Sequence, residues 1–203
     1  NGATITNCDD GVFFDDFPLH DVTVMGIAFH CAGSGVLAGW SHYECRNIAI
    51  EGNVFEVQNF GIGIALGREV RIARNVVTGA GADAINLYRP TGVRVHGNDL
   101  QGLEGVFLDG SRDSQITKNR IEAWEPGIIL VEESDDNKVN GNQIAGVRAA
   151  GVVLEGGSSG NKVHGNQVAC AAGATCVAVQ ASPEVWDANR ISGNMLVEMP
   201  GGR

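Results

Sequence analysis

Three arginines, Arg68, Arg89 and Arg112, recur at nearly even spacing in a chain of 203 residues whose net charge is −10. Tyr88 stands beside the middle one, Asp109 precedes the last, and Asp83 and Asn86 lie just upstream. Guanidinium groups in a row hold carboxylates in planar, bidentate fashion. A phenol or a guanidinium beside them is placed to act on the proton next to a sugar carboxylate, as elimination or C5 epimerisation of a uronate requires. The candidate catalytic residues are therefore Arg68, Tyr88, Arg89, Arg112 and His96, the last as a general base beside Arg94 and Arg71. Asp83, Asn86 and Asp109 are the candidate substrate-binding residues. A solvated edge with incidental charge is the simpler alternative.

These residues hang on a repeat. The pattern apolar-x-apolar-x-(Gly or basic)-Asn ends at Asn53, Asn75 and Asn98, and shortened copies end at Asn119, Asn142, Asn166 and Asn194. Val22-Thr-Val-Met-Gly26 is a degenerate earlier copy. A second pattern, Gly-apolar-x-apolar, follows, as in Gly63-Ile-Ala-Leu66, Gly105-Val-Phe-Leu108 and Gly151-Val-Val-Leu154. Alternation over four or five residues marks a strand with one buried face, and Gly or Asn after it marks a sharp turn. One such coil cannot bury its apolar face alone; stacking does. Both patterns together predict a solenoid of about eight coils with two strands each, with no competing helical period. At the parallel-strand spacing the rod is roughly 40 Å long. The asparagines fall at one equivalent turn, where stacked side chains bond to one another as a ladder.

The segments Glu133-Ser-Asp-Asp-Asn-Lys-Val-Asn-Gly-Asn142 and Ser158-Ser-Gly-Asn-Lys-Val-His-Gly-Asn166 resemble the repeats of NosD-type and pectate-lyase-like proteins. The resemblance covers nearly the whole chain. It implies an all-β fold, a single-stranded right-handed parallel β-helix, and the handedness agrees with that of parallel crossovers in general. Members of that superfamily include polysaccharide lyases, epimerases, glycoside hydrolases, phage tailspikes and periplasmic accessory proteins. Asp83-Ala-Ile-Asn-Leu-Tyr-Arg89 resembles the acidic-then-Arg motif of mannuronan epimerases, without its Pro-His. The expected activity is that of a carbohydrate-active β-helix on an acidic polysaccharide, by lyase or C5-epimerase chemistry. The alternative is a non-catalytic binding or structural module, fibre- or tailspike-like.

Further groups invite ligands. Carboxylates gather at Glu132, Glu133, Asp135 and Asp136, and at Asp9, Asp10, Asp15 and Asp16, so calcium is a candidate cofactor. The second group also has His20, Asp21 and His42 near it, without the spacing of a transition-metal site. His96 and His164 occupy the same strand position three coils apart, ~14 Å, too far to share a metal ion. On the second strand the outward positions read Ala65, Asn86, Phe107, Ile129, Val153 and Ala178. Phe107, Ile129 and Val153 form an apolar stripe that something must cover, such as the long segment 169–186, the tail after Met195 or a second copy in a homo-oligomer.

Composition narrows the partners. An estimated pI of about 4.8 argues against nucleic acid and anionic membranes, and no run of 18 apolar residues is present. Polysaccharide is the expected partner. The five cysteines offer two pairings, Cys8 with Cys31 one repeat away and Cys170 with Cys176 across a short loop. Either would place the protein in an oxidising compartment, secreted or periplasmic; buried thiols are the alternative. Residues 1–203 read as one β-helix domain. Asn1-Gly-Ala-Thr-Ile5 already reads as part of a coil, so the expected cap is either a neighbouring domain of a larger protein or a partner.

Overall fold

The computed structural model describes residues 2–14, 18–39 and 43–198. Each coil contributes three short parallel strands, one more than the two sequence patterns announce. The first ladder runs from Leu19–Met25 through Cys45–Glu51, Arg71–Ala73 and Arg94–His96 to Arg190–Ser192. The second begins with Ala3–Cys8 and Ile27–Cys31, passes Val54–Val57 and Arg120–Ala123, and ends at Met195–Leu196. The third joins Val12–Phe14, Val36–Ala38 and Ile62–Ala65 to Ile128–Val131, Ala150–Leu154 and Val177–Ala181. In two central coils the second and third strands merge into Val76–Tyr88 and Asp99–Asp109. The product is a right-handed parallel β-helix of about eight coils.

The extra ladder hides in the sequence because each of its strands carries little apolar periodicity. In Asp99–Asp109 the residues after the turn are Asp99, Leu100 and Gln101, with one inward side chain, Leu100. Stacking supplies what the single strand lacks. Ile50, Ile72, Val95, Ile116, Val139 and Val163 form one fully buried column from the first ladder. Phe29 and Phe55 stack in the second with ring centroids 4.8 Å apart and planes 9° from parallel. Each such side chain contributes on the order of 2 kcal/mol when taken wholly out of water.

The glycine that opens the second pattern also has a reason. It sits at the corner between the second and third ladders, where the next coil's inward side chain passes beneath. A Cβ on Gly35 would lie 2.2 Å from the Phe55 ring, and one on Gly105 would lie 2.3 Å from the Gly127 carbonyl oxygen.

The turn asparagines do form a buried ladder. Asn75 Nδ2 donates to Asn98 Oδ1 at 3.1 Å and to the Ile50 carbonyl at 2.8 Å. The Asn75 backbone N–H donates to the same Asn98 Oδ1 at 2.9 Å. The scheme repeats from Asn53 to Asn194. Each inner carboxamide thus uses both N–H groups and both lone-pair sites, which removes the penalty of burying it. Position 27, where the next asparagine would stand, is Ile27, whose backbone N–H still donates to Asn53 Oδ1. A second buried polar column, built from Ser114, Asn137, Asn161 and Asn189, runs along the turn before the first ladder.

Of the two alternatives for the cysteines the structure has the disulfides, Cys8–Cys31 and Cys170–Cys176, and Cys45 is buried. A helix, Pro183–Asp187, departs from the all-strand expectation. Ser182 caps its N-terminus and Val185 closes over the core of the last coils.

Asn98→Ala removes the carboxamide that joins Asn75 to Asn119 and leaves buried groups unpaired on both sides. It should cost about 4 kcal/mol, read as a lower urea midpoint. A loss under about 1 kcal/mol would show that the ladder contributes little.

Candidate functional site

Most of the sequence-selected residues lie on the outer side of the third ladder or in the turn after it. One outward row reads Gly63, Asn86, Phe107, Ile129, Val153 and Gln180. Gly63 and Gln180 therefore replace the expected Ala65 and Ala178, because the strand phase is set by the inward pair Ile62 and Ile64. The next outward row holds Ala65, Tyr88, Asp109 and Val131.

The structure brings Tyr88, Arg89 and Asp109 together. Tyr88 and Asp109 are direct neighbours across adjacent coils. Arg89 occupies a left-handed turn position, φ 47°, as do Leu66 and Glu132 in equivalent turns. This aims its guanidinium back over the Tyr88 ring, 5.2 Å from the centroid. Its backbone N–H donates to the Asp109 carbonyl at 2.7 Å. Gly110 makes room on the next coil; a Cβ there would stand 3.2 Å from Arg89 Cγ. Burial pushes the Asp109 carboxyl above the usual aspartate range, Glu132 adds to the effect, and Arg89 opposes it.

Arg68 and Arg112 do not extend this group into a row. They are register equivalents of each other with Thr91 between them, two coils apart or about 10 Å. Arg89 belongs to an earlier turn position. Arg68 is also engaged by Glu44 at 3.1 Å. His96 lies on the first ladder, around the corner from Tyr88, with its Nδ1 2.9 Å from Thr117 Oγ1. It shares a row with His164 three coils away, as the repeat predicts. The apolar stripe is largely covered by its own chain. Ile129 and Val153 are 8% and 5% exposed and pack with Ala150, Val131 and half-buried Phe107.

Asp83 and Asn86 belong to a different group. Asn86 Nδ2 donates to Asp83 Oδ2 at 2.5 Å, and Asp83 pairs in register with Glu104. Burial first, then the charge of Asp83, its hydrogen bond and Glu125, push the Glu104 carboxyl up to about 7. Glu104 was not among the sequence candidates. Its signal is positional only: it aligns with Asp83 once the long strands 76–88 and 99–109 are placed side by side.

Among the described residues, no three His, Cys, Asp or Glu side chains form a set that could hold a metal ion. In the acidic turn, Asp135 Oδ1 accepts from the Ser159 backbone and hydroxyl, each at 2.8 Å. Asp15, Asp16 and His42 lie outside the described residues. No helix of the described residues is long and apolar enough to cross a membrane.

The fold is a right-handed parallel β-helix with a polar cluster at one corner after its third ladder. The chain belongs to the NosD family: the family profile described as periplasmic copper-binding protein (NosD) matches residues 1–198. Copper prefers imidazole and sulfur ligands. Here Cys8, Cys31, Cys170 and Cys176 are held in disulfides, and His96 and His164 stand ~14 Å apart. The described residues do not fit a copper ion.

Among solved structures, the chain is similar to the A-module of the Azotobacter vinelandii mannuronan C-5 epimerase AlgE4. Identity is 16% and the TM-score 0.63, over 95% of this chain and 58% of that one. The AlgE6 A-module of the same organism gives 16% and 0.54, over 90% and 65%. DFA-IIIase from Arthrobacter chlorophenolicus A6, in complex with DFA-III, gives 18% and 0.54, over 95% and 55%. At these identities the likeness is one of fold, and the chain spans little more than half the length of AlgE4 and DFA-IIIase. No curated protein matches the chain.

The Asp83–Glu104 pair has a consequence for stability. A carboxyl whose folded pKa is raised from 4.5 to about 7 stabilises the fold fully below the ordinary glutamate range. That contribution is lost as pH rises through about 7. The melting temperature should therefore fall between pH 5 and pH 8, and Glu104→Gln should flatten the fall. An unchanged profile in the variant would assign the dependence elsewhere.

Proposed function

We propose that this protein is a carbohydrate-active β-helix of an oxidising, extracytoplasmic compartment. Its substrate is an acidic polysaccharide, processed by elimination or C5 epimerisation at Tyr88, Arg89 and Asp109. The observation that carries this reading is the grouping of a guanidinium, a phenol and a half-buried carboxyl on two adjacent coils. The β-helix enzymes with the same fold support the carbohydrate class. The two disulfides and the periplasmic description of the family support the compartment.

In this reading Arg89 binds the uronate carboxylate and stabilises the negative charge that spreads onto it when the C5 proton leaves. Asp109 takes that proton; its raised pKa makes it a stronger base than an ordinary aspartate. In elimination, the C5–H electron pair forms the new double bond and the O4 glycosidic bond breaks, with the Tyr88 phenol protonating the departing oxygen. In epimerisation, Tyr88 returns a proton to the opposite face of C5 and no bond of the chain is cut. The net charge of −10 repels a polyanion at long range, so retention rests on Arg89.

The test is absorbance near 235 nm during incubation with alginate and polygalacturonate, alongside C5 proton exchange in deuterated water. Unsaturated product signals elimination, and exchange without product signals epimerisation. Arg89→Ala should lower either rate at least a hundredfold. Neither signal on any uronate polymer, or full activity in Arg89→Ala, would overturn the proposal.

A further inference from the structure

The corner between the second and third ladders carries a feature that the uronate chemistry does not use. Trp124 stands there 62% exposed. A side chain of that size is seldom left in water without a task. One of its neighbours is Arg148, whose guanidinium lies 4.4 Å from the ring centroid. Arg148 and Trp124 together line a cavity of about 650 Å³ that also includes Glu122 and Gly146. Trp124 lines a second cavity as well, of about 490 Å³, and Arg148 is absent from that one. The indole thus borders two cavities, and Arg148 lines only one of them.

The open slot has an unusual floor. It is formed by Gly79, Ala80 and Gly81 of one coil and Gln101, Gly102 and Leu103 of the next. Three of these six residues have no side chain, so a flat ring can approach the backbone while lying against the indole. Leu103 is 44% exposed and adds apolar surface. Three carboxyls are close in the chain, although none lines the slot. Asp83 and Glu104 follow Gly81 and Leu103 within two residues, and Glu125 follows Trp124. Trp124 and Glu125 are fixed against this coil by backbone hydrogen bonds to the Leu103 carbonyl at 3.1 and 2.9 Å. No lysine or arginine lines the slot.

We propose that the slot beside Trp124 is a binding subsite for a neutral glycosyl residue. The apolar C–H face of a pyranose stacks on the free face of the indole, above the glycine floor. Its hydroxyls donate to the carboxyls of Glu104 and Glu125 and meet the amide of Gln101. The slot has no lysine or arginine to hold a uronate or a phosphate, and the three carboxyls nearby in the chain oppose an anion. Asp83 is five residues upstream of Tyr88 along one strand, up to about 16 Å away, so this subsite is separate from the Tyr88–Arg89 turn. It stands on its own geometry and holds whether or not uronate chemistry occurs at that turn.

The experiment is a titration of the full chain with cellohexaose, xylohexaose, mannohexaose and the hexamers of mannuronate and galacturonate. Binding is followed by calorimetry and by tryptophan fluorescence, with circular dichroism and melting as checks on folding. At least one neutral hexamer should bind saturably and change the fluorescence. Trp124→Ala should weaken it about tenfold or more, the magnitude of losing a stacked aromatic anchor. Trp124→Phe should restore most of the affinity. Trp124 is exposed, so its replacement should not alter melting. The proposal is overturned if no neutral hexamer binds at millimolar concentration, if Trp124→Ala binds as wild type, or if Trp124 proves necessary for a uronate hexamer instead.

Discussion

The buried carboxamide column is the interaction on which the rest of the rod depends. A parallel solenoid must turn its backbone sharply at every corner, and each turn leaves peptide groups without a strand partner. Asn75 and its equivalents answer this by bonding upward to the next carboxamide and to a carbonyl of the preceding coil. The bond fixes coil height and rotation together. Once both are fixed, strands fall into register, and the inward columns of Ile, Val and Leu meet without gaps. Hydrophobic burial supplies most of the free energy, but it is not directional. The carboxamides supply the direction.

That division of labour explains what the sequence made legible. The asparagines and the alternating strands around Ile72 and Leu87 recur strictly, so the repeat, the coil number and the parallel stacking can be read from letters alone. The second ladder could not be read. Strands such as Arg120–Ala123 turn only Ile121 and the small Ala123 inward, with charged residues beside Ile121, and so short an alternation does not stand out. The same limit set the error in the outward row, where Ala65 stood in for Gly63. Phase along a four-residue strand is decided by neighbouring coils, not by the strand itself.

The site was legible in part for a related reason. Tyr88, Arg89 and Asp109 were found because they sit at repeat positions that follow a recognisable strand. Arg68 and Arg112 looked equivalent to Arg89 by spacing, yet the residue in register with both is Thr91, two positions further along. Glu104 and Trp124 carry no motif. They acquire meaning only when strands 76–88 and 99–109 lie side by side and the corner after Ala123 projects beyond them. Functional groups on a solenoid are neighbours across coils, about one repeat apart in sequence, and that separation conceals them.

The carboxamide column stops at Asn53, because position 27 carries isoleucine. The first two coils are joined instead by the Cys8–Cys31 bridge. The rod is thus fastened by two kinds of joint, one covalent and one reversible, on adjoining lengths of the same axis. A thiol reductant would discriminate between them. It would cut the covalent joint and leave the first coil held by its strand ladders alone, while the carboxamide-stitched middle is untouched.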